Sequence, residues 1–398
     1  MSEKHMPSDG SCPVCATTGI LAFIDNGQVP VHCNLLWTTR DEAVHAPRGE
    51  IRLGFCPNCG YIFNLAFDPA LMEYNQNYEN SLHFSALFQG YANSLAAHLV
   101  DRYDLNHKDI IEIGCGQGEF LKLLCELGDN RGVGFDPSYV AEPTAEMRAD
   151  RTMFIQDVYS ERYASYQADL ICCRQVLEHI QAPRDFVVNL RRTIGERRDT
   201  AVFVEVPNML HTLRDLAIWD IIYAHCSYFS ADSLAYLFST CGFDVRSLTE
   251  AYGGQFLAIE ALPRRVEVRA AAPRRDGYEQ LARDVAAFAD KYHQRIAHWR
   301  CVLDQYARSG RRAVIWGAGA KGVTFLNTLN IRDQIEYAVD VNPRKHGMFI
   351  AGTGQQIVPP EVLRDYQPDV VIVMNPLYEH EIQQIAKNLG ITIECVCV

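Results

Sequence analysis

Two Cys-x-x-Cys pairs stand near the amino terminus, Cys12-Pro13-Val14-Cys15 and Cys56-Pro57-Asn58-Cys59. A two-residue gap lets both sulfurs of a pair reach one ion, and two pairs complete a tetrahedron. The spacing predicts a structural zinc site on Cys12, Cys15, Cys56 and Cys59, with Gly60 free to close the second turn in a left-handed conformation. Four thiolates leave no position for substrate, so such a zinc stabilises rather than catalyses. Free thiols or a redox role are the competing readings. His32 and Cys33 lie between the pairs and are expected in the core or at the surface, not on the metal.

A second constellation begins with Asp109-Ile110-Ile111-Glu112-Ile113, an apolar strand running into Gly114-Cys115-Gly116-Gln117-Gly118 and a helix that starts near Glu119. Glycine lets backbone approach a ligand closely, and a helix start offers free N–H groups. The spacing is Gly-x-Gly-x-Gly, not the Gly-x-Gly-x-x-Gly of a dinucleotide fold. A ligand without phosphate suits it better, and S-adenosylmethionine is one. Asp136 ends the next strand, where a carboxylate can accept both ribose hydroxyls, and Asp157 ends another, within reach of an adenine amino group. Either aspartate alone could equally be a helix N-cap or a solvated loop residue. A further strand from Asp169 leads to Arg174, Gln175 and His179. Ligands of open α/β sheets collect beyond the carboxyl ends of strands, which brings these three near cofactor or substrate. A satisfied buried histidine is the plainer reading of His179.

A third turn, Gly317-Ala318-Gly319-Ala320-Lys321-Gly322, does fit Gly-x-Gly-x-x-Gly, and Asp340 ends the following strand as a ribose-binding acid would. An NAD site is one reading, although the segment is short for a full dinucleotide fold. A diphosphate held by the helix start and Lys321 is another, and a purely structural turn is a third.

The elements around these motifs predict an α/β protein. Short buried strands alternate with helical patterns through the central region, which implies βαβ units and a mainly parallel sheet. The expected units are a zinc-binding domain over 1–75, a Rossmann-like methyltransferase over 76–265, and a linker helix with a smaller α/β unit over 266–398. Pro263–Gly277 reads as an exposed connector. Tyr278–Ala307 carries apolar residues at three- and four-residue spacing, as a helix lying along its own domain or, alternatively, pairing with a second copy. The chain has 398 residues, 48 % of them apolar, and a formal net charge of −12. That charge works against nucleic-acid and anionic-lipid partners. With no apolar run of membrane-spanning length and a polar Met1–Gly10, a cytosolic monomer or homodimer acting on a small molecule is expected.

In their order along the chain, the cysteine pairs, Glu112-Ile113-Gly114-Cys115-Gly116, the run Ile222 to Ser230 and the turn Gly317 to Thr324 resemble the three-domain, zinc-containing sugar C-methyltransferases. Those enzymes act on nucleotide-linked keto-deoxysugars. The resemblance covers nearly the whole chain. The glycine turn is generic to methyltransferases, whereas Tyr223-x-His225-x-Ser227-Tyr228-Phe229 and Lys321-Gly322 are specific. It implies that a base removes a proton beside a ketone while donors stabilise the enolate. His225 and Tyr223 would carry that chemistry, with His179 grouped beside them. Tyr78 would stand near the sulfonium as a cation–π partner, and Glu112 with the cofactor residues. Gly319 and Lys321, assisted by Asn342, Lys345 and Asn375, would hold the nucleotide-sugar. One departure is Ala224, where the family commonly has glutamate before the histidine. It keeps O- or N-methylation open, and also a binding protein without turnover. An RNA methyltransferase with a zinc ribbon is disfavoured by the acidic balance.

Overall fold

A computed structural model of the chain describes residues 10–72, 78–140, 151–264 and 275–398. The expected connector lies outside them from 265 to 274, as do Met1 to Asp9 and the stretch 73–77 just before Tyr78.

Three antiparallel strands open the chain: β1 (Leu21–Pro30), β2 (Arg48–Phe55) and β3 (Ile62–Asn64). The second cysteine pair makes the turn between β2 and β3. There the Cys56 N–H donates to the Tyr61 carbonyl at 2.8 Å and the Gly60 N–H to the Cys56 carbonyl at 2.9 Å.

The central unit supplies β4 (Asp109–Ile113), β5 (Arg131–Phe135), β6 (Thr152–Ile155), β7 (Leu170–Arg174) and β8 (Ala201–Pro207), all mutually parallel. Their near-continuous apolar runs suit strands covered on both faces. The short β9 (Ser227–Tyr228) follows, then β10 (Phe243–Ala251) and β11 (Phe256–Pro263), an antiparallel pair added beside β8. The sheet order is β10-β11-β8-β7-β4-β5-β6. β9 does not join it. It pairs with β3 and completes the amino-terminal sheet, β1-β2-β3-β9.

The carboxyl-terminal sheet is wholly parallel: β12 (Ala313–Trp316), β13 (Ile335–Val339), β14 (Gln356–Val358), β15 (Val370–Val373) and β16 (Glu394–Cys397), in the order β14-β13-β12-β15-β16. The helix Ala320–Leu329 returns tightly over β12. A Cβ on Gly322 would meet the Gly317 carbonyl oxygen at 2.1 Å. Gly322→Ala is therefore expected to destabilise this unit by about 1–3 kcal/mol, the range for forced overpacking. Urea denaturation reads this, and an unchanged midpoint would mean that the turn opens freely.

The long helix Arg275–Ser309 buries Leu281, Val285, Phe288, Tyr292, Ile296, Trp299 and Leu303. Its stripe does more than line its own domain. Phe288 meets Phe23 of β1, the Tyr292 hydroxyl donates to Asn26 at 2.7 Å, Asp284 pairs with Arg214, and Trp299 packs on Phe325. One apolar core thereby runs through all three units.

Candidate active site

The four cysteine sulfurs converge. Cys12 Sγ lies 3.6 Å from Cys59 Sγ, and Cys15 Sγ 3.5 Å from Cys56 Sγ. A tetrahedral ion with Zn–S bonds of about 2.3 Å has an S···S edge of about 3.8 Å, so the set is sized to hold one ion. His32 and Cys33 are both buried and stand outside this cluster.

At the end of β4 the glycines 114, 116 and 118 all take positive φ. A Cβ on Gly114 would strike the Val176 side chain at 2.1 Å, whereas one on Gly116 would meet nothing within 4 Å. The turn is packed from below and faces open space at Gly116. Gly118 caps the helix Glu119–Gly128 without a side-chain bond, so the first N–H groups stay available for a ligand. Asp136, at the tip of β5, accepts the Gly116 N–H at 2.8 Å through one oxygen and both the N–H and hydroxyl of Ser138 through the other. This carboxylate shapes the turn and borders the space above it. Bare helix start, open glycine and adjacent carboxylate fit a nucleoside with an amino-acid tail. Glu112, near the end of β4 two residues before Gly114, is buried, and burial pushes its carboxyl up to about 8. Asp157 already holds the Tyr163 hydroxyl, the Val158 N–H and Arg162. Arg174 is bound to buried Glu205 at 3.1 Å, with its guanidinium 4.1 Å from the Phe120 ring centroid. It braces the helix behind the glycine turn.

A cavity of about 320 Å³ opens where the carboxyl ends of the central strands face the carboxyl-terminal unit. It brings Tyr78, Gln175, His179 and His225 together with Gly319, Lys321, Asn342, Lys345 and Asn375. The His179 and His225 ring centroids are 4.9 Å apart. His179 Nδ1 lies 2.8 Å from the Ala224 carbonyl, which makes that nitrogen the N–H donor and leaves Nε2 the lone pair. Burial holds His179 down at about 4 and His225 well below the usual imidazole range, so both are neutral near pH 7. Tyr78 pairs with Leu35, its hydroxyl accepts from Asn34, and burial pushes its phenol up to about 12.

Tyr223 is not brought to the cavity. It is 0 % exposed, its ring lies on Gly49 of β2, and its hydroxyl accepts the Asp68 N–H at 2.9 Å and donates to the Asp68 carbonyl at 3.1 Å. Ile222 lines the cavity from this run. Tyr223→Phe is expected to cost about 0.5–1.5 kcal/mol of stability, because the part-buried Asp68 N–H and carbonyl lose their partner, with turnover unchanged. A large loss of kcat at full stability would return Tyr223 to the chemistry.

In the carboxyl-terminal unit, Asp340 accepts the Ala318 N–H at 3.0 Å, the Asn342 N–H at 2.9 Å and the Lys345 ammonium at 3.2 Å. Asp340 is engaged much as Asp136 is, with the Lys345 ammonium in place of the Ser138 hydroxyl, so its bonds alone do not separate the NAD from the diphosphate reading. Lys321 pairs with Asp220 across the seam. Asn342 donates to Glu79 at 3.1 Å, and Asn375 and Gln255 exchange two amide hydrogen bonds at 2.8 and 3.0 Å. Glu178, Asp220, Asn208 and Gln255 also line the cavity and were not among the expected residues. Only Glu178 carried a local signal, being an acid beside His179.

A methyltransferase-domain family matches residues 88–248, and a C-methyltransferase C-terminal-domain family matches residues 260–391. The C-methyltransferase NovU of Streptomyces niveus is 26 % identical over 400 residues, covering 96 % of this chain and 93 % of that protein. Among solved structures, the magnesium protoporphyrin IX methyltransferase of Synechocystis PCC 6803 is 15 % identical, covering 46 % of this chain and 89 % of that one, with a TM-score of 0.36. A methyltransferase from Listeria monocytogenes described as S-adenosylmethionine dependent is 14 % identical, covering 43 % and 99 %, with a TM-score of 0.34.

Proposed function

Because this chain is an S-adenosylmethionine-dependent methyltransferase with a C-methyltransferase carboxyl-terminal domain, we propose that it methylates a carbon beside the ketone of a nucleotide-linked keto-deoxysugar. The observation that carries this reading is the cavity at the seam. It offers two neutral imidazoles from one side, and from the other a lysine at the start of the helix Ala320–Leu329. An elongated substrate with a reacting carbon at one end and a diphosphate at the other suits that division.

When bound, S-adenosylmethionine supplies a methyl group on a positively charged sulfur. In this reading Gly114, Gly116, Gly118 and Asp136 hold it, with Glu112 below the turn, Asp157 beyond it and Tyr78 beside it. His225 takes the proton from the carbon next to the ketone, and the C–H electron pair moves onto the ketone oxygen. Its neutrality at pH 7 keeps the accepting lone pair available. His179, oriented by the Ala224 carbonyl, faces the same carbon. Lys321, Gly319, Asn342 and Asn375 take the nucleotide end. Zn²⁺ on Cys12, Cys15, Cys56 and Cys59 is structural. Among the described residues no helix is long and apolar enough to cross a membrane.

O- or N-methylation of a related small molecule is the second reading. It is favoured by Ala224, which puts no acid immediately before His225, and by Ile222, an apolar cavity-lining residue of the same run. Turnover of methyl-labelled cofactor with a panel of keto-deoxysugar nucleotides decides between them. A new carbon-bound methyl by NMR, lost by about 10²–10⁴-fold in His225→Ala, is the expected result. An oxygen- or nitrogen-bound methyl, or full turnover by His225→Ala, overturns the C-methylation reading.

A further inference from the structure

Among the described residues four carboxyl groups line the cavity: Glu178, Asp220, Asp340 and Glu381. Asp220 is taken by Lys321, Asp340 by Lys345 and two backbone N–H groups, and Glu381 by the Ser85 hydroxyl and the amides that follow it. Glu178 is 1 % exposed, and its Oε2 has no hydrogen-bond partner among the described residues. Nor, among them, does the buried Nδ1 of His225. Two orphaned buried polar atoms bordering one cavity call for a physical reason, and a functional link between them supplies one. One ligating atom each from Glu178, His179 and His225 lies within 4.8 Å of the others.

We propose that Glu178 is the positioning residue for His225: its carboxylate reaches Nδ1, orients the ring and balances the charge that the imidazole gains when it takes the substrate proton. The proposal rests on the C-methylation reading of His225 as base.

The backbone favours the encounter. Glu178 sits in the turn Leu177–His179 after β7, and His225 in the loop before β9. Three contacts stitch these loops together: His179 Nδ1 to the Ala224 carbonyl at 2.8 Å, Cys226 Sγ to the Glu178 carbonyl at 3.6 Å, and Ser227 Oγ to the Ile180 carbonyl at 2.7 Å. With both backbones anchored, a side-chain rotation closes the remaining gap. The carboxylate thereby comes from the facing loop, since position 224 carries none.

In the step itself the substrate C–H bond breaks, an N–H bond forms at His225, and the electron pair becomes the enolate. The buried imidazolium then faces a carboxylate, as in base–acid dyads elsewhere. Burial raises Glu178 to about 8. The dyad must start as carboxylate plus neutral imidazole, so its output rises as pH climbs through that value. The titratable groups facing Glu178 are Glu205 on β8, Cys173 on β7, Cys226, Tyr78 and the two histidines; Lys321, with Asp220, faces His225. None of these supplies a second uncommitted carboxylate.

The test is hydrogen exchange in D₂O. The full chain, with S-adenosylhomocysteine and a nucleoside-diphosphate keto-deoxyhexose, should exchange the proton beside the ketone, read by NMR. Glu178→Gln should slow exchange and kcat together by about 10²-fold, leave KM and S-adenosylhomocysteine binding unchanged, and flatten the rise near pH 8. Glu178→Asp should recover part of the rate. Wild-type exchange and pH profile in Glu178→Gln overturn the proposal. So does a lower melting temperature not relieved by aspartate, which marks a structural role. Loss of one of two bound metal equivalents overturns it as well, because the cluster is then a cation site. If the wild-type chain exchanges no keto-sugar at all, the C-methylation reading fails first and this proposal with it.

Discussion

Cys56→Ser releases the bound metal, collapses the amino-terminal sheet and lowers turnover: that is the expected result, and it is the largest effect anticipated for any single side chain. Cys56 and Cys59 are both 0 % exposed and pack in the same core as Phe63, Phe229 and Leu234. A serine hydroxyl there does not ionise to replace the thiolate. Structural zinc contributes about 10–16 kcal/mol to folding in small fingers at neutral pH, more than most domains have in reserve. The effect reaches the chemistry through β3. That strand begins just beyond the cysteine turn and pairs with Ser227 and Tyr228, while the Asn64 N–H donates to the Cys226 carbonyl at 3.0 Å. The loop carrying His225 therefore hangs from the cysteine turn. Metal per chain by plasma mass spectrometry, thermal melting and kcat should all fall together. Full metal content with an unchanged melt would remove the cluster from the stability argument.

Asp136→Ala should weaken S-adenosylhomocysteine binding by about 10²–10³-fold. Two losses combine. The Gly116 and Ser138 N–H groups lose their acceptor, so the turn loosens. The ribose hydroxyls also lose a charged acceptor, and hydrogen bonds to charged groups contribute about 1.5–3 kcal/mol each. Calorimetry on a folded sample measures it, with Asp157→Ala as the control. Asp157 is committed to Tyr163, Arg162 and its own loop, so the smaller effect is expected there. Equal losses in the two variants would show that the ribose is not gripped at Asp136.

Much of this was legible along the chain. The strand, glycine turn and helix around Gly114, the acid at the tip of β5 and the matching unit at Gly317 all appear where expected, because each is encoded within a short local span of apolar run and turn residues. The cysteine pairs were legible for the same reason, since ligand spacing is local geometry. Tyr223 lies away from the cavity, and Arg174 is engaged by Glu205, because a residue type and a position in a run do not say which way a side chain faces. Tyr223 falls in a turn ahead of β9, where no strand or helix period fixes which way successive side chains point. The pairing of Ser227 and Tyr228 with Phe63 and Ile62 anchors the strand that follows this loop, and in the folded chain Ile222 and His225 line the cavity while Tyr223 lies on β2.

The sequence by itself determined three things: the two sheet-forming α/β units, the two Cys-x-x-Cys pairs and the glycine turn after β4. Each is written in short local runs of chain, although the meeting of the two cysteine pairs, 41 and 47 residues apart, belongs to the fold. Only the tertiary structure decided that β9 leaves the central sheet to finish the amino-terminal one, that Lys321 meets Asp220 across the seam, and that Glu178 comes to lie beside His225. Those are contacts between segments far apart in sequence, and they depend on how three separately legible units pack on one shared core.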